Sequence, residues 1–190
     1  MLFFKEYGII QSNYEKRVKK IEMEQLELLE LRELKKQDFS NACAFTGHRE
    51  LEADFTNKEL LKRVESMIQK GVNVFYCGMA KGFDLVAGET VLKLKKKYKE
   101  VKLIACVPYY GQERGFEEKD KKRYANLLKK CDEKVLLSES YYKGCLLARN
   151  RYMVDRSAYL IAYLKKDVGG TAYTVNYALK KGLEVVYIEK

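Results

Sequence analysis

From residue 41 onward, short apolar runs alternate with stretches in which apolar residues recur every three or four positions. Six runs predict strands: ACAFTG (42–47), NVFYCG (73–78), KLIACVP (102–108), KVLLS (134–138), AYLIAYL (158–164) and EVVYIE (184–189). Helices are predicted between them, near residues 57–70, 84–99, 116–130, 144–156 and 171–181. In the second of these, Ala87, Val91, Leu94 and Tyr98 share one face, and Lys93, Lys95, Lys96, Lys97 and Lys99 occupy the rest. Ahead of this region, YEKRVKKIEMEQLELLELRELKKQ (14–37) lacks Gly and Pro and predicts a helix of about six turns. Its apolar positions Val18, Ile21, Leu26, Leu28, Leu29, Leu31 and Leu34 keep no strict seven-residue repeat, which favours a packing arm or dimer element over a long coiled coil.

Apolar strands that alternate with helices imply a parallel sheet covered on both faces. The expected fold class is therefore α/β and Rossmann-like: a mostly parallel sheet of six strands with helices on both faces, plus an N-terminal helical arm. Residues 1–40 are read as the helical extension and 41–190 as the ligand-binding domain, because 190 residues suit one substantial core better than two thin ones. In such sheets the loops at the carboxyl ends of the strands form the ligand crevice.

Composition narrows the function classes. No run of about 18 apolar residues is present, so no membrane span is expected. The start, MLFFKEYGII, is broken by Lys5 and Glu6 and reads poorly as a secretory signal. Cys43, Cys77, Cys106, Cys131 and Cys145 form no C-x-x-C pair, and His48 is the only histidine, so neither a zinc site nor a disulfide framework is expected. The thiols read as reduced and cytosolic. The net charge of +10 belongs wholly to residues 41–190, since acids and bases cancel before them, and it favours anionic partners.

Four loops carry the candidate chemistry. After strand one, TGHRE (46–50) offers His48 and Arg49 to an anion beside Gly47. After strand two, GMAKGFDLVAGE (78–89) places Gly78, Gly82 and Asp84 where the chain turns into a helix; Asp84 either caps that helix or accepts hydrogen bonds from ribose hydroxyls. After strand five, Gly169, Gly170 and Thr171 at a helix start present backbone N–H groups and a hydroxyl to a phosphate, with Thr171 also readable as an ordinary cap. In ARNRYMVDRS (148–157), Arg149 suits a phosphate and Asn150 a base edge or hydroxyl, while Arg151 and Asp155 are spaced to pair on the helix surface. VPYYGQERGF (107–116) adds Tyr109 and Tyr110 for stacking on a base, with Gln112 beside them.

In this order TGHR, GMAKGFDLVAGE, PYYGQ, RNRYMVDRS and GGTAYTVNYALKKG resemble the YpsA-like family of small bacterial cytosolic proteins. That family lies in the SLOG superfamily, with the DNA-processing protein DprA and the LOG phosphoribohydrolases. The resemblance covers roughly residues 41–190 and implies a nucleotide or nucleotide-derived ligand held by Thr46, Gly47, His48, Arg49, Gly78, Met79, Gly82, Asp84, Arg149, Asn150, Gly169, Gly170 and Thr171. GMAKGFD and RNR are also similar to DprA, but Lys81 stands where DprA-type sequences usually have Arg, which keeps the charge and loses the two-pronged geometry.

The function expected on these grounds is binding of a phosphorylated, nucleotide-type ligand by a cytoplasmic sensor or regulatory protein. LOG-like cleavage of an N-glycosidic bond is one alternative; Thr174 occupies the position of the LOG glutamate, so Asp84 or Glu89 would have to act as acid or base. DprA-like binding of single-stranded nucleic acid is the other. No catalytic residue is assigned, and neither a metal nor a required cofactor is expected. Besides the small molecule, the expected partners are another protein or a second copy through residues 14–37, with nucleic acid behind them and no membrane.

Overall fold

The computed structural model describes residues 18–23, 25, 39–53 and 55–188. The chain divides into two units, Met1–Asp38 and Phe39–Lys190. In the first, residues 18–23 and 25 are helical. The dimer element expected over 14–37 otherwise lies outside the described residues.

In the second unit, strands and helices alternate along the chain: β1 (Ala42–Gly47), α1 (Asn57–Gln69), β2 (Val74–Cys77), α2 (Phe83–Leu94), β3 (Lys102–Val107), a 3₁₀ turn (Gln112–Gly115), α3 (Glu118–Lys130), β4 (Glu133–Leu136), α4 (Cys145–Val154), β5 (Tyr159–Tyr163), α5 (Gly169–Lys180) and β6 (Glu184–Tyr187). The six strands form one sheet in the order β4-β3-β2-β1-β5-β6. Every pairing is parallel, with Cys43 beside Tyr159 and Gly47 beside Tyr163 on one side of β1, and Ala42 beside Val74 on the other. The fold is the Rossmann-like α/β arrangement that the alternation predicts.

Side chains of a strand point alternately to its two faces, and both faces here are apolar. Cys43, Phe45, Phe75, Cys77, Leu103, Ala105 and Ile161 meet Leu60 and Val64 of α1, Leu85 and Val91 of α2, and Leu127 of α3. The opposite face, with Ala42, Ala44, Tyr76, Ile104, Leu160 and Ala162, meets Met153 and Val154 of α4 and Val175 and Ala178 of α5. The expected burial of all strands fails at the two margins: β4 and β6 are largely exposed or half-buried, because each has a neighbour on one side only.

Helix boundaries also shift. The predicted 84–99 helix stops at Leu94, and Tyr98, beyond it, packs against the core and donates its hydroxyl to Glu65 at 2.9 Å. Asp132 ties β3 to the chain ahead of β4 by accepting from the Leu103 N–H at 2.9 Å and pairing with Lys95. Among the described residues, no helix is long and apolar enough to cross a membrane.

Candidate functional site

The chain runs outward from β1 to β4 and then returns to β5 beside β1. Loops that follow β1 and β5 therefore diverge at their carboxyl ends and leave a crevice between them. Its volume is about 480 Å³, and Thr46, Gly47, His48, Arg49, Asp84, Arg149, Asn150, Gly169, Gly170 and Thr171 line it. Asp84, Arg149 and Gly170, which come from three different helices, thus share one hollow.

Gly78, Met79 and Gly82 do not line the crevice; they shape its walls. A side chain at Gly78 would overlap the Arg149 guanidinium and the Asp84 carboxylate, so the absence of a Cβ lets that pair meet behind β2. Gly82 holds a φ of +81° and passes directly over the His48 and Arg49 carbonyls. One residue on, the Phe83 N–H donates to the His48 carbonyl at 3.1 Å. Met79 is fully buried, and its carbonyl accepts the Gln112 side-chain amide at 2.9 Å. That bond commits one N–H of Gln112 to the backbone while the residue stays beside the tyrosines.

Asp84 is not the cap of α2. Gly82 occupies the cap position, and the Asp84 carboxylate, buried inside the first turn, accepts the Ala80 N–H at 3.2 Å. Burial raises the Asp84 pKa, while Arg149, the Ala80 N–H and Arg49 pull it down. Arg149 is only 5% exposed. Its Nε donates to Asn150 Oδ1 at 2.7 Å, and Asn150 Nδ2 donates to Thr174 Oγ1, also at 2.7 Å. Thr174 in turn donates to the Gly170 carbonyl at 2.7 Å. Asn150 therefore bonds to the protein through both ends of its amide while lining the crevice. Among the described residues, buried Arg149 Nη1 has no hydrogen-bond partner.

At the start of α5, Val168 holds the cap position and supplies no side-chain hydrogen bond, so the expected Thr171 cap is absent and Thr171 lies within the first turn. The first N–H groups of a helix have no partner inside it, and the helix dipole places partial positive charge there. These donors open on the same crevice as Arg149. His48 Nε2 accepts the Lys165 N–H at 2.9 Å, which ties the β1 loop to the β5 loop. Below the loops, Phe83 stacks on Tyr163 at 5.7 Å, and Phe55 meets Tyr163 edge-on at 5.0 Å.

Several sequence readings relocate. Glu89, considered as an acid or base, is held by Arg123 through two bonds of 2.7 and 2.8 Å and does not line the crevice. Arg151 and Asp155 do not pair with each other: Arg151 donates to the Tyr173 hydroxyl at 3.2 Å, and Asp155 accepts from Tyr177 at 2.9 Å and Lys181 at 2.8 Å. The sequence reading missed the loop before α4, whose Tyr141 and Gly144, with Leu146 in the first turn of α4, also line the hollow. Its signal was SYYKG (140–144), two aromatics and a glycine directly ahead of a helix. Among the described residues, no cluster of three or more His, Cys, Asp or Glu is placed to hold a metal ion.

Comparison with known proteins agrees with this architecture. The chain is 26% identical over 143 residues to the UPF0398 protein BH1768 of Halalkalibacterium halodurans, covering 74% of this chain and 76% of that protein. It is 28% identical over 130 residues to a UPF0398 protein of Bacillus velezensis, covering 67% and 71%. Among solved structures, DNA processing protein A from Streptococcus pneumoniae superposes with a TM-score of 0.59 at 22% identity, over 80% of this chain and 51% of that one. The Helicobacter pylori counterpart, described in its single-stranded DNA binding mode, gives 0.57 at 19%, over 78% and 65%. The chain thus spans about half the length of the first of these structures and under two thirds of the second. At this identity the likeness is one of fold. The profile of the YspA SLOG family, YpsA, matches residues 43–188, and the chain belongs to that family.

Proposed function

We propose that this protein binds a phosphorylated, nucleotide-derived small molecule at the β1–β5 crevice and acts as a sensor or regulatory protein. The observation that carries the reading is the meeting of Arg149 and the uncapped first turn of α5 in one hollow. A guanidinium beside helix N–H groups that lack partners suits a phosphate, which accepts from both. Asp84 supplies an acceptor for ribose hydroxyls on the β2 side of the same hollow. The setting is the cytosol, in keeping with cysteines that are all free.

Thermal shift against nucleoside mono- and diphosphates, ADP-ribose and cyclic dinucleotides tests the reading. A ligand at a hundred times its Kd adds about 2.7 kcal/mol to the folded state, a shift of several degrees. Absence of any shift at millimolar concentration, with folded protein, overturns it.

Single-stranded nucleic acid is the second reading. The fold shared with the Helicobacter pylori DNA processing protein A and the net charge of +10 favour it. Affinity for an oligonucleotide that falls steeply with salt supports it, and a flat salt response removes it.

A further inference from the structure

We infer that the crevice has a second lobe that seats the nucleobase of the bound nucleotide on tyrosine rings. This inference rests on the proposed nucleotide binding and extends it. Beside the phosphate-accepting hollow lies another of about 520 Å³, lined by Tyr109, Tyr110, Tyr141 and Arg114 among others, and the two hollows share Arg49, Ala80, Tyr141 and Leu146. Ligand pockets commonly measure about 300–1,000 Å³, so the joined hollows match a molecule with two chemically distinct ends better than a bare phosphate.

Their linings differ in the corresponding way. The β1–β5 hollow holds Arg149 and the α5 N-terminus, whereas the second lobe gathers Tyr109, Tyr110 and Phe116 beside Lys81 and Arg114. Tyr110 is 71% and Tyr141 64% exposed. Rings this open to water at a concave surface gain contact area when a planar group covers them. Tyr109 and Tyr141 pack edge-to-face, with centroids 5.3 Å apart and planes at 81°, which props the two rings against each other. Exposed Arg49 stands at the junction, where the ribose and its phosphate leave the base.

The test compares AMP with ribose 5-phosphate by isothermal titration, in the full chain and in a Tyr110→Ala variant, because Tyr110 lines the second lobe and not the phosphate hollow. The side chain is exposed, so the fold should survive, and an unchanged far-ultraviolet dichroism spectrum checks this. AMP is expected to bind about tenfold tighter than ribose 5-phosphate, in line with the strength of base–aromatic stacking. The variant is expected to lose most of that advantage and keep its ribose 5-phosphate affinity, and Tyr110→Phe to retain it. Equal binding of the two ligands by the full chain, or equal weakening of both in the variant, overturns the second lobe and leaves the phosphate site standing. Loss of oligothymidylate binding with AMP binding intact assigns the tyrosines to a strand and also overturns it. If neither ligand binds the full chain, the proposed function itself fails, and the inference with it.

Discussion

Arg149 Nη1 lies 3.9 Å from Asp84 Oδ2, near enough to attract the carboxylate and too far to hydrogen-bond with it. Both groups are buried, so neither is relieved by solvent. Replacing Arg149 with Met leaves a buried carboxylate without its countercharge. The expected loss is about 3 kcal/mol in urea unfolding, together with loss of any nucleotide-induced thermal shift. Arg149→Lys keeps the charge and should lose the bond to Asn150, giving a smaller destabilisation.

The pH dependence of stability should carry a signature of Asp84. Its folded-state pKa is raised by burial above the ordinary carboxylate value, although Arg149 offsets part of that. The folded state therefore holds the proton more tightly than the unfolded chain. The contribution is fully present below the unfolded pKa and is lost as pH rises through the folded one. Relative to Asp84→Asn, the native protein should lose stability over that rise; urea midpoints measured at successive pH values check the direction.

Gly82→Ala should destabilise by about 2 kcal/mol or more, read as a fall in the thermal midpoint. The added carbon would overlap the Arg49 carbonyl at a φ of +81°, and backbone cannot swing away as a side-chain tip does. Gly78→Ala strikes the Asp84–Arg149 pair instead, so its loss of ligand binding should exceed what its stability change alone explains.

Thr174→Val removes a hydroxyl that both accepts from Asn150 and donates to the Gly170 carbonyl, and strands the Asn150 amide. A cost of about 1–3 kcal/mol is expected, with weaker ligand binding because the first turn of α5 loses its tie to α4.

Thiol reactivity should separate one cysteine from the rest. Burial raises the pKa of the Cys43, Cys77 and Cys106 thiols, the last to about 12. Cys145 is buried as well, and Cys131 alone is partly exposed. A thiol reagent should label one of the five cysteines in the native protein and the other four only on unfolding.

Patterning revealed the sheet because strands covered on both faces must be apolar throughout, as FYC and LIACV are. It also brought the loops after β1, β2 and β5 to one end, since parallel strands place their carboxyl ends together. Individual side chains were harder to read. Asp84 looks like a cap because acids favour helix starts, but whether position 82 or 84 holds the cap depends on the turn made by Gly82 over the His48 carbonyl. Asn150 looks free because no sequence pattern signals its bonds: Arg149 Nε turns back onto its neighbour, and the other partner, Thr174, is 24 residues away. Tyr141 escaped notice for a similar reason: its place beside Tyr109 follows from the spatial neighbourhood of β3 and β4.

The chain of bonds from Arg149 through Asn150 and Thr174 to the Gly170 carbonyl has a mechanical corollary. On the outer side of the same two helices, Arg151 grips Tyr173 and Asp155 grips Tyr177. Braced by both sets of bonds, α4 and α5 are tied into one plank, so a substitution that cuts either set is expected to loosen the two helices together.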